Sequence, residues 1–127
     1  MYRVELAFGH SDSNGLAVPA EQIKRAEHLA LRHFALQFNG AQLLRHPGAY
    51  RHNDSRVITE PSTTVWAYAL DAQPDVTPLS AIAREIATML RQESVLLVIV
   101  ELQGHMYWVH LEPNGAWEPM RVSGHAA

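Results

Sequence analysis

The sequence predicts an α+β fold: a ferredoxin-like βαββαβ sandwich with helices on one face of a mainly antiparallel sheet, plus an additional C-terminal strand. Three observations predict it. Apolar and polar residues alternate strictly at the start of the chain, two later stretches carry helical periodicity behind a proline, and a pair of extended segments joined by a polar turn lies between them.

Tyr2, Val4, Leu6 and Phe8 share one side of an extended strand while Arg3, Glu5 and Ala7 share the other, the period of two of a half-buried strand. Ser11, Asp12, Ser13, Asn14 and Gly15 then form a turn-rich loop. Pro19 suits the first position of a helix and Glu21 its first turn. Ile23, Ala26, Ala30 and Phe34 recur at helical spacing, with Leu29 and Leu31 widening the stripe and Gly40 supplying a stop. Residues 41–50 and 56–70 read as two strands joined across Arg51, His52, Asn53, Asp54 and Ser55. Pro61 cannot donate to a ladder, which predicts a bulge or break and leaves residues 63–70 as the part in the main sheet. Thr77 as N-cap and Pro78 as first residue open a second helix whose stripe is Leu79, Ile82, Ile86 and Met89 or Leu90. Trp66 and Ile86 are expected in the core. Residues 95–100 are apolar at every position, so both faces of that strand are expected to be covered, the outer one by a second copy of the chain. His105 to Leu111 is expected as a fifth, edge strand, and residues 113–127 as an irregular tail.

The chain has 127 residues, 47% of them hydrophobic and 18% charged, enough for one core. One domain over 1–122 with a flexible tail at 123–127 is expected. Ten Lys plus Arg against thirteen Asp plus Glu, a formal charge of −3, give no basic footprint for a phosphate backbone, so nucleic acid is not an expected partner. The absence of cysteine excludes disulfides, thiolate nucleophiles and Cys-ligated zinc. The first residues alternate instead of forming a basic segment and an apolar run, and the longest apolar stretch is six residues. A cytoplasmic protein without a membrane segment is the expectation.

Eight histidines raise the question of a metal. His46, His52 and Asp54 carry competent ligand types, but their spacing matches no motif, and no metal or cofactor is expected. Ser62 with His52 and Asp54 lacks any nucleophile elbow. Glu60, directly before Pro61, is the carboxylate to watch: at a bulge, beside Arg or His, it would orient a ligand or accept a proton. With His46, Arg51, His52 and Tyr68 it makes up the candidate ligand-binding set, and the neighbouring Arg45, His46, Arg51 and His52 point to a small anionic ligand. Trp66, Tyr68, Tyr107 and Trp108 are an aromatic set suited to core, interface or stacking.

Gly48-Ala49-Tyr50, Glu60-Pro61-Ser62 before a strand and Gln92-Glu93-Ser94-Val95 after the second helix, in this order of elements, resemble an uncharacterised bacterial family of ferredoxin-like α+β domains over residues 1–102. The resemblance implies the fold and assigns no catalytic role. The leading expectation is a small self-associating domain, a dimer through its sheet, acting as a binding or accessory protein. The alternatives are an enzyme of the dimeric α+β-barrel type using Glu60, Tyr68 and a histidine for proton transfer, and a phage-type or inhibitor interaction protein with an exposed apolar patch.

Overall fold

The computed structural model describes residues 1–51, 54–111 and 117–124, with side chains as far as residue 104. The elements run β1 (Tyr2–Gly9), α1 (Ala20–Phe38), β2 (Gln42–Arg51), β3 (Val57–Ala69), α2 (Val76–Met89), β4 (Leu96–Glu101), β5 (His105–Leu111) and β6 (Trp117–Gly124). The first four strands form an antiparallel sheet of order β2-β3-β1-β4, and both helices pack on one face of it. This is the expected βαββαβ sandwich. The described sheet is open and does not close into a barrel. No described helix is long and apolar enough to cross a membrane.

The alternation in β1 places Val4, Leu6 and Phe8 inside, against Val65 and Ala67 of β3. From α1 come Ile23, Ala26, Ala30 and Phe34, and from the α2 side Leu79, Ile86 and Leu90. Ala26, Ala30 and Ala67 have almost no side chain to interpose, so the helical layer sits close on the sheet and the larger Phe8 and Phe34 fill the space beside them.

Several boundaries move for identifiable reasons. Pro19 is the N-cap of α1, so the helix begins one residue later than expected, at Ala20, and Asn39, at φ 66°, ends it in the left-handed conformation one residue before Gly40; Asn tolerates that conformation. Asp75, not Thr77, caps α2, its carboxylate accepting the Thr77 amide. Pro61 makes no bulge: β2 and β3 stay in register through it, with Pro47 opposite. The His10 amide donates to the Pro61 carbonyl at 3.0 Å, so the polar edge of Pro61 faces the exit of β1, and its missing N–H interrupts no bond to β2.

Two larger expectations are corrected. Trp66 is not a core residue. It pairs with Glu5 on the sheet face away from the helices, where the Arg3 guanidinium lies 5.1 Å from its ring centroid. The period of two puts Val65 and Trp66 on opposite faces, and the pairing with β1 turns Val65 toward the helices beside Leu6. Nor does β5 extend the main sheet; it pairs with β6 in a separate two-stranded sheet, so residues 117–124 are strand, not irregular tail. In β4, Leu97 and Ile99 pack on the core while Leu96 and Val100 remain exposed, leaving the outer face uncovered within one chain.

Ile86→Ala should therefore lower stability by about 2–5 kcal/mol, and Trp66→Ala by clearly less. Urea unfolding of the two variants checks the order; equal losses would place Trp66 in the core.

Candidate functional site

At the end of the sheet where β1 stops and the β2–β3 hairpin projects beyond it, a cleft of about 250 Å³ opens. Ala7, Gly9 and Leu96 provide its floor, Tyr50, Arg51 and Glu60 come from the hairpin, and the loops Ser11–Ser13 and Gln92–Ser94 form the rim.

Glu60 pairs with Gly48 across the hairpin, and its carboxylate is folded over the backbone of β1. A Cβ at Gly9 would collide with Glu60 Oε1 and the carboxyl carbon, so the close approach requires glycine there. Oε2 of Glu60 is buried and has no hydrogen-bond partner among the described residues. Such a group costs free energy unless something arrives to satisfy it. Gly48 plays a parallel part on the facing strand. A Cβ there would strike Ser62 Oγ and the Tyr50 ring, which folds back so that its hydroxyl meets the buried Ser62 Oγ at 3.0 Å.

The rim is held by the end of α2. Gln92 donates its amide N–H to Ala87 O, with Arg91 before it at positive φ, a helix-ending turn that satisfies otherwise orphaned carbonyls. From there the Gln92 side chain donates to the carbonyls of Gly9 and Ser11. Ser13 N–H donates to Arg91 O, and Asp12 Oδ1 accepts the amides of Asn14 and Leu16.

Beneath the cleft, on the helix side of the sheet, lies a polar chain in which Glu27 and Thr63 are buried, His10 is half-buried and Arg45 reaches the surface. Glu27, on the buried stripe of α1, accepts two hydrogen bonds from Arg45 and one at 2.8 Å from Thr63 Oγ1. The Arg45 hydrogen bonds outweigh burial and hold the Glu27 carboxyl below its usual range, while Glu27 raises Arg45. Thr63 has one hydroxyl proton, given to the carboxylate, so at 2.7 Å it accepts from His10 Nε2–H. Burial pushes the His10 imidazole below its ordinary value even though the Glu27 and Glu60 carboxylates pull the other way.

Of the sequence candidates, Glu60 and Arg51 line the cleft together. His46 lies on the open face, bonded to Thr64 Oγ1 and away from the cleft lining. Tyr68 is eight residues along β3 from Glu60, roughly 26 Å at the rise of a strand, and meets Arg3 instead; it cannot share a ligand with Glu60. His52 falls outside the described residues, as do the side chains of Tyr107 and Trp108. The bulge proposed for Glu60 is absent. Among the described residues no group of three or more His, Asp or Glu could hold a metal. Among the described residues, Asp12, Glu60 and Glu93 line the cleft with Arg51 as the one cation, a balance less suited to the expected anionic ligand than to a cationic one. Sequence reasoning missed Gly9, Gln92 and Glu27. Only Glu27 left a signal, a carboxylate four residues after Ile23 and seven before Phe34 on an apolar stripe.

No family model matches the chain, and no curated protein matches it in sequence. Two solved structures share its fold: a phage SAM lyase in complex with S-methyl-5'-thioadenosine, at TM-score 0.58 and 15% identity over 99% of this chain and 92% of that one, and a phage SAM lyase in the apo state, at TM-score 0.51 and 15% identity over 99% and 91%. At that identity the likeness establishes a shared fold. It overturns the resemblance to an uncharacterised bacterial family, because the neighbours that span the chain are a characterised phage enzyme.

Because the folded-state value of Glu27 is depressed, its contribution to stability is complete above the ordinary carboxylate range, near 4.3, and is lost as pH falls through the lower folded value. Glu27→Gln should therefore be less stable than the parent at pH 7, with the gap closing as pH drops below about 4. Denaturation midpoints from pH 7 to pH 2 check this, and a gap independent of pH would contradict it.

Proposed function

We propose that the chain is a small-molecule lyase acting on SAM (S-adenosylmethionine) at the Glu60 cleft and releasing S-methyl-5'-thioadenosine. The observation that carries the reading is the buried, unpartnered Glu60 carboxylate oxygen in an acid-rich cleft. That arrangement favours a cationic ligand, and SAM brings both a sulfonium and an ammonium. Further support comes from the fold held in common with a phage enzyme named for this substrate and solved with that product. This favours the enzyme and phage-type alternatives over a purely accessory binding domain.

In the cleavage the bond from sulfur to the γ-carbon of the amino-acid chain breaks and its electron pair goes to sulfur, leaving a neutral thioether. The four-carbon fragment is completed either by its own carboxylate oxygen closing on the γ-carbon or by loss of a β-proton to Glu60. In the first case Glu60 orients the substrate's positive end; in the second it is the base. Tyr50 offers a ring face for the sulfonium, and Arg51 offers the partner for the substrate carboxylate.

Incubation with SAM should yield S-methyl-5'-thioadenosine, followed by chromatography, and the four-carbon coproduct, lactone or alkene, assigns the role of Glu60. Glu60→Gln should keep the denaturation midpoint and lower turnover by about 10²-fold or more. Gly9→Ala should also lower turnover at nearly unchanged stability, because the carboxylate can swing aside. Absence of cleavage by the parent, or normal turnover by Glu60→Gln, would remove the reading.

We propose in addition that two copies associate through the open sheet face, where Leu44, Leu96 and Val100 are 53%, 61% and 43% exposed. Sedimentation at micromolar concentration should give a mass above 14.2 kDa; a monomer would refute it.

A further inference from the structure

The Gly9–His10 dipeptide serves both faces of the sheet. On the cleft side, the bare α-carbon of Gly9 is the surface on which the Glu60 carboxylate rests. The His10 amide donates to the carbonyl of Pro61, the residue that follows Glu60. Toward the core, the His10 ring is tied through Nε2–H to Thr63, and through Thr63 to the Glu27–Arg45 pair. Two further groups clamp the same segment: the Val18 amide donates to His10 O, and the Gln92 side chain donates to the carbonyls of Gly9 and Ser11. The height of the β1 backbone beneath Glu60 is thus set by a chain of hydrogen bonds that ends, on the opposite side of the sheet, at the buried Glu27 carboxylate and its exposed partner Arg45.

We propose that His10 is a positioning residue for Glu60, holding the Gly9–Pro61 junction in place through Thr63 and the buried Glu27 carboxylate that Arg45 neutralises. This rests on the lyase reading only for its activity readout. His10 does not touch the cleft, as it is absent from the lining, so its effect passes through the backbone. The donor order also fixes its form: Nε2 carries the proton, because the single Thr63 hydroxyl proton is given to Glu27.

Three variants test it. His10→Phe keeps a ring beside Phe8 and removes the Nε2–H donor; Thr63→Val keeps shape and removes the hydroxyl; Thr63→Ser restores the hydroxyl. Each is assayed for SAM cleavage, and the carboxyl carbon resonance of Glu60 is recorded at pH 7. His10→Phe and Thr63→Val should lower kcat about 10- to 100-fold with KM within about twofold, and should move the Glu60 resonance. Thr63→Ser should behave as the parent in both. Nitrogen-15 spectra of the parent should show His10 protonated at Nε2. Unchanged kcat and an unmoved Glu60 resonance in His10→Phe, or a proton at Nδ1, would overturn the proposal. If Thr63→Val fails to fold, the more exposed His10→Phe decides. Should the parent not cleave SAM, the lyase reading fails, and the Glu60 resonance alone decides the positioning role.

Discussion

A carboxylate inside an apolar core is tolerated only when donors surround it, and the one on α1 governs how this molecule is assembled. Glu27 occupies a position that the helical period assigns to the interior, so β2 must deliver Arg45 to it and β3 must deliver Thr63. Apolar contacts are non-directional and would let the β2–β3 hairpin settle in more than one register. Three hydrogen bonds to one carboxylate would not. Shifting either strand by one residue would turn Arg45 or Thr63 to the open face and leave a buried charge unpaired.

The register so defined has consequences at the cleft. It sets Gly48 opposite Glu60 and Pro47 opposite Pro61, a pairing in which the prolines withhold no hydrogen bond the sheet needs. It also brings Gly9 level with Ser62, so that the Glu60 side chain folds across a position without a Cβ. Two glycines on the strands that flank β3 therefore do steric work that no larger residue could. One admits a carboxylate and the other admits the returning Tyr50 ring. Among the described residues the Glu60 oxygen has no partner, a local defect in an otherwise well-paired region, and the proposed ligand site rests on it.

The two faces of the sheet divide the labour. Small and branched residues face the helices, while Arg3, Glu5, Trp66 and Tyr68 form a polar-aromatic stripe on the other side that continues into exposed Leu96 and Val100. In β4 residues 96–100 are apolar throughout, with Leu97 and Ile99 packed on the core and Leu96 and Val100 exposed on the other face. The cleft opens at one end of this same outer face.

Local periodicity was sufficient for the element order and for the facing of β1 and both helices, because side-chain direction repeats every two or 3.6 residues whatever the partner. It could not rank Trp66 against Val65 for the core, since the face of β3 that meets the helices is set by its pairing with β1. Nor could it see that Pro61 falls on the edge where β1 has already ended, that β5 would pair with β6 and not with the main sheet, or that Tyr68 stands a strand's length from Glu60. Gly9, Gln92 and Glu60 lie far apart along the chain and meet only because antiparallel pairing and a helix end bring them together. Charge in the cleft follows the same logic: Arg45 and His46 are carried to Glu27 and Thr64, Arg51 stays on the lining, and the loop carboxylates Asp12 and Glu93 join Glu60 there.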